Sequence, residues 1–156
     1  MLPPAFQIST PPTNTQHGAM FDWRPPFLGI DVVSIARIKK SLADFGERFE
    51  QRIFTPQELQ DAGHDAVVKM ERLAARFAAK EAAIKAFSLG SIGVNWRDLE
   101  VVRRPDGAPI LLIHGKTSTI LTKIGITSWA LSLSHDGDHA TAVVAGLQPV
   151  PVPFHP

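Results

Sequence analysis

From Phe27 onward the spacing of apolar residues divides the chain into strand-like and helix-like segments. FLGIDVV, Phe27 to Val33, is a short apolar run with β-branched residues, the pattern of a buried strand. Behind it Ser34 can cap a helix in which Ile35, Ile38, Leu42 and Phe45 recur on one face, with Gly46 as the stop. Thr55, Pro56 and Glu58 carry the signature of a capping box and open a short helix that ends near Gly63. The longest helical run is placed from about Ala66 to Ser88. At ~100° per residue, Met70, Leu73, Phe77 and Ile84 form one stripe, and Lys69, Arg72, Arg76 and Lys80 a second beside it.

After SLGSIGVNW the period changes from 3.6 to 2. DLEVVRRPDGAPILLIHG reads as two strands joined around Pro105, Asp106 and Gly107. KTSTILTKIG reads as an amphipathic helix closed by Gly125, and TSWALSLSHDGDHATAVVAGL as two strands joined at Asp136 and Gly137. The order strand, helices, hairpin, helix, hairpin predicts an α+β fold, with a small, mostly antiparallel sheet packed against the long central helix.

Three polar residues stand where packing alone would not put them. Glu81 falls on the apolar stripe of the central helix, between Phe77 and Ile84. Asp31 lies inside the first strand, and His135 at a strand end. A carboxylate on an apolar face needs a cation, a metal or a proton. A lysine or arginine partner would serve Glu81 as well as a metal would. Asp31 could be an edge residue or a cap, although Ser34 is the better cap. His135 reads equally as a surface or capping residue. Two carboxylates beside a basic stripe nevertheless suit a divalent cation that meets a phosphate-rich substrate, since Mg²⁺ uses one or two carboxylates and completes its shell with phosphate oxygens and water.

Composition narrows this further. With 156 residues the chain suits a single domain, and a net charge of +1 argues against a nucleic-acid partner. There is no cysteine, so any metal sits on oxygen or imidazole. The first 27 residues have no signal-peptide pattern, and no stretch approaches the ~20 apolar residues of a membrane span. We expect a soluble, cytoplasmic protein with no membrane partner. Residues 1–27 are expected to be an N-terminal extension, 28–147 the folded core, and 148–156 a proline-rich tail.

Five motifs in order, GIDVVSIARI, RIFTPQEL, RLAARFAAKEAAIKAF, the DGAP turn and SLSHDGDHATAVV, resemble those of the holo-acyl-carrier-protein synthases, the small 4′-phosphopantetheinyl transferases of fatty acid synthesis. The resemblance implies that Asp31 and Glu81 bind Mg²⁺ and that coenzyme A is co-substrate. It implies that a serine of an apo acyl carrier protein attacks the β-phosphate, with adenosine 3′,5′-bisphosphate leaving. Glu81 acting through a water, or His135, would take the serine proton. The resemblance also implies that Lys85 contacts coenzyme A phosphates and that Arg37 meets the acidic recognition helix of the carrier. Arg76 and the turn from Gly107 to Pro109 are candidates for the nucleotide end. A homotrimer with sites at subunit boundaries is implied as well. The chain departs from the family at Ser88, where a glycine is usual, and in a shorter segment up to Trp96. A non-catalytic carrier-binding module of the same fold, or an unrelated metal-dependent phosphohydrolase, is the alternative; the latter predicts further clustered metal-binding residues.

Overall fold

The computed structural model describes residues 27–147, so the extension and the tail expected on either side of the core lie outside the described residues. The elements are β1 (Phe27–Ser34), α1 (Ile35–Phe45), α2 (Glu47–Ile53), α3 (Pro56–Ala62), α4 (Ala66–Ala86), β2 (Leu99–Arg103), β3 (Pro109–Ile113), α5 (Gly115–Lys123), β4 (Ser128–Asp136) and β5 (His139–Leu147). β1, β5 and β4 make a three-stranded sheet in that order, and β2 and β3 make a separate hairpin. All pairings are antiparallel. Trp129 Nε1 on β4 donates to the Leu111 carbonyl on β3 at 2.8 Å and ties the two sheets together.

The caps stand where the sequence puts them. Ser34 Oγ accepts from Arg37 N at 3.4 Å and opens α1. Thr55 Oγ1 accepts from Glu58 N at 3.2 Å while Glu58 Oε2 accepts from Thr55 N at 2.8 Å, which closes the capping box of α3. α4 ends at Ala86, and its cap Phe87 is followed by Ser88 with φ 53°. Ser88 is the only non-glycine residue with positive φ among the described residues, which is the conformation that favours glycine at this place.

The sequence leads to a different core face for α4 than the structure shows. Its deepest stripe is alanine: Ala75, Ala78, Ala79, Ala82 and Ala86 are at most 9% exposed. The large apolar stripe lies on the far side, about 180° around the axis from Ala82. Leu73 there is buried, while Met70, Phe77 and Ile84 are half-buried and packed against the core. Small side chains let the helix axis sit close to the sheet. Gly29 on β1 completes the approach, because a Cβ there would overlap the Ala82 carbonyl and the Ala86 nitrogen. Phe45, expected on the core face of α1, is 64% exposed.

The basic stripe is not a free edge. Lys80 is fully buried and gives Nζ to Glu58 Oε2 at 2.8 Å and to the carbonyls of Trp96 at 3.0 Å and Leu99 at 2.5 Å. Glu58 also accepts from Val101 N at 2.9 Å. One buried ion pair therefore joins α3, α4 and β2. Lys69 pairs with Glu50 at 3.0 Å, and Arg76 lies 3.7 Å from Asp61.

Gly29→Ala should lower the free energy of unfolding by about 1–3 kcal/mol, as overpacking of a tight contact does. It should also lower turnover, because Asp31 shares its strand. Urea denaturation checks the first effect; an unchanged midpoint would mean that β1 and α4 do not need this close approach.

Candidate functional site

β1 places alternate residues on the face toward α4: Gly29 and Val33 are buried there, and Asp31 lies between them on the same face. α4 brings Glu81 and Lys85 to one flank, four residues and ~40° apart. Lys85 Nζ lies 2.6 Å from Asp31 Oδ1 and donates to the Ile30 carbonyl at 3.2 Å. Burial raises the Glu81 carboxyl above the usual glutamate range, and the Asp31 charge raises it further. Lys85 and Arg37 act in the opposite direction without cancelling these. Four of the residues singled out in the sequence, Asp31, Glu81, Lys85 and Arg37, thus share one electrostatic cluster. Arg37 itself is exposed on α1.

The remaining predicted residues form a second group on the other flank of α4. Arg76 is ~140° around the helix from Glu81. It lines a cleft of about 360 Å³ with Gly107, Pro109 and His135. Arg72 and Arg103 add two further cations to that wall, with Glu71 opposing them. Arg76 is 5% exposed, and its buried Nε has no hydrogen-bond partner among the described residues. Burial holds its guanidinium below the usual arginine value, against the attraction of Glu58 and Asp61. His135 pairs with Ala140, which pairs with Val33, so it stands two strands across from β1. That is roughly 10 Å of sheet. The structure brings His135 to the arginines and not to the two acids.

Sequence reasoning missed the Lys80–Glu58 pair and the structural role of Glu100. Glu100 accepts from Thr55 Oγ1 at 2.6 Å and lies 2.8 Å from His114 Nε2. Burial raises its carboxyl, but these two hydrogen bonds together with the charges of His114 and Lys80 outweigh burial and leave it below the usual range. The signal for Lys80 was present in the sequence: it stands among Ala78, Ala79, Ala82 and Ala83, where small side chains surround a long one.

Among the described residues no group of three or more His, Asp or Glu is gathered that could hold a metal. The site is a two-carboxylate one. Residues 27–144 match the family described as the 4′-phosphopantetheinyl transferase superfamily. The chain belongs to this superfamily. It is 45% identical over 117 residues to a holo-acyl-carrier-protein synthase of Koribacter versatilis, covering 74% of this chain and 93% of that one. It is 48% identical over 115 residues to the synthase of the same name from Carboxydothermus hydrogenoformans, covering 74% and 92%. Among solved structures it resembles an ACPS–CoA complex attributed to Chronobacterium ammoniagenes, with TM-score 0.71 and 34% identity over 81% of this chain and all of that one. The α+β architecture of this superfamily is the one described above.

A carboxyl that folding raises is stabilised in its protonated form, so ionising Glu81 costs stability. Glu81→Gln should therefore raise the thermal midpoint in EDTA near neutral pH. The gain should grow as pH climbs from about 4.3, the unfolded glutamate value, and level off above the raised folded value. Melting curves across that range check it; a loss of stability at every pH would contradict the placement of the two acids.

Proposed function

We infer that the protein transfers the 4′-phosphopantetheine group of coenzyme A to a serine of an apo acyl carrier protein, giving holo-carrier protein and adenosine 3′,5′-bisphosphate. The observation that carries this reading is the pairing of Asp31 and Glu81 beside Lys85, in a chain that is 48% identical over 115 residues to a synthase of that name and covers 92% of its length. Two adjacent oxygen donors, one of them a carboxyl that its neighbour's charge perturbs, fit Mg²⁺, which takes one or two protein carboxylates. Asp31 and Glu81 would hold it. When bound, Mg²⁺ neutralises the pyrophosphate and stabilises the charge on the departing bisphosphate.

The rest is the work of the chain itself. The serine oxygen forms a bond to the β-phosphorus while the bond from that phosphorus to the bridging oxygen breaks, and the bridging oxygen leaves with its electron pair on adenosine 3′,5′-bisphosphate. The serine proton passes to Glu81 through a water beside it, since a carboxylate that holds a cation is a poor base directly. Lys85, half-exposed at the edge of the cluster, meets the phosphates of coenzyme A. Arg37, exposed on α1 beside the same cluster, meets the acidic helix of the carrier. The carrier of fatty acid synthesis in the cytoplasm is the expected substrate.

Arg76, Gly107, Pro109 and His135 serve the nucleotide end, in the cleft on the opposite flank of α4. A cleft so placed fits best as the complement of a neighbouring copy's acid cluster, in a homotrimer. The outer face of the three-stranded sheet supports such an assembly: Leu28, Ile30 and Val32 are 62%, 56% and 59% exposed in a row along β1. That makes an apolar strip which a monomer would leave in water.

Subunit complementation tests this arrangement. Glu81→Gln should lower transfer on the order of 100-fold or more, as loss of an acid–base group does, and His135→Ala should lower it as well. Co-expression of the two variants should restore about a quarter of wild-type activity, because one boundary in four then carries both native residues. Activity no greater than the sum of the two variants would place the whole site within one subunit.

A further inference from the structure

α4 carries two lysine–carboxylate pairs, and they differ in how firmly they are held. Lys80 is fully buried and has three acceptors, so it cannot leave Glu58 without stranding a charge in the core. Lys85 is the opposite case. Its side chain is 52% exposed, while the carboxylate that it holds, Asp31, is 14% exposed. Asp31 is committed to a cation by its burial in β1, but Lys85 loses little by returning to water.

Lys85 also sits on the oxygen that the proposed metal would need. Its ammonium lies 2.6 Å from Asp31 Oδ1. It is near enough to Glu81 to pull that carboxyl down, although burial and Asp31 prevail. A dication held by the same two acids would stand within a few ångströms of the ammonium and repel it. We propose that Lys85 is a built-in competitor for the divalent cation at Asp31: the metal displaces its ammonium, which is thereby delivered to the phosphates of coenzyme A. This rests on the reading of Asp31 and Glu81 as the metal site. It gives Lys85 two stations, a carboxylate and a phosphate, with metal binding as the event that moves it between them. The coupling runs both ways, because phosphate that engages Lys85 frees Asp31 for the metal, and metal that takes Asp31 frees Lys85 for phosphate. Each ligand then favours the other through one side chain.

The sign of the effect makes the proposal testable. Removing a cation that merely supports a metal site by ordering it would weaken metal binding, whereas removing a competitor strengthens it. The experiment is Mn²⁺ binding to the full chain without coenzyme A, followed by the paramagnetic resonance signal of free Mn²⁺. Lys85→Met should bind Mn²⁺ roughly fivefold more tightly than wild type, the scale of a half-exposed ion pair. Lys85→Arg, which keeps the cation, should bind as wild type does. Lys85→Gln serves if the methionine variant does not fold, and should also bind more tightly. Equal or weaker binding by the neutral variants would overturn the proposal and leave Lys85 on Asp31 Oδ1 with the metal elsewhere on the cluster. Asp31→Ala separates the two readings: if it does not remove a site seen in wild type, the metal assignment itself falls, and the competition falls with it.

Discussion

The close seat of α4 on β1 is the constraint from which the rest of the molecule follows. A helix with ordinary side chains on its inner face would stand off the sheet by the length of those side chains. Here alanines line that face, and Gly29 removes the last obstacle, so backbone meets backbone. The two apolar residues beside Asp31 on the helix-facing side of β1 are consumed by this contact, and Asp31 is left at its margin. There it meets Glu81 and Lys85 rising from the helix. The same tight fit that builds the core therefore brings two like charges together, a cost that the fold accepts for the site.

The two flanks of α4 divide the labour. On one, Lys80 is locked between Glu58 and two backbone carbonyls, where it fastens α3 and β2 to the helix. On the other, Lys85 holds a carboxylate from a half-exposed position and can let go. The two residues have the same chemistry and lie five positions apart on one helix. Burial and the number of acceptors decide which of them is structural and which is available to a ligand.

Much of this was legible in the chain. The order of elements followed from the change of period after Trp96, and the starts of α1 and α3 from Ser34 and Thr55, because caps are local chemistry that a sequence states directly. Asp31 and Glu81 stood out because polar residues at apolar positions need a reason, Lys85 because of the motif that it completes, and the structure brings the three together. The inner face of α4 was not legible. Hydrophobic patterning ranks residues by size and apolarity, so it chose Phe77 and Ile84 over the alanines that lie deepest, and it read Lys80 as part of a basic stripe suited to phosphate although it is buried. α2 went unread, since seven residues with four charges show little apolar stripe. That His135 stands apart from the two acids follows from tertiary geometry, which sequence spacing does not carry.

The account stands or falls on whether this cluster moves phosphopantetheine under the control of a divalent cation. The most direct measurement is the intact mass of an apo acyl carrier protein after incubation with this protein and coenzyme A, with Mg²⁺ in one sample and EDTA in the other. The account predicts that the carrier gains the mass of one phosphopantetheine group with Mg²⁺ and none with EDTA. An unmodified carrier in both samples, with the protein folded and several carriers tried, would contradict it.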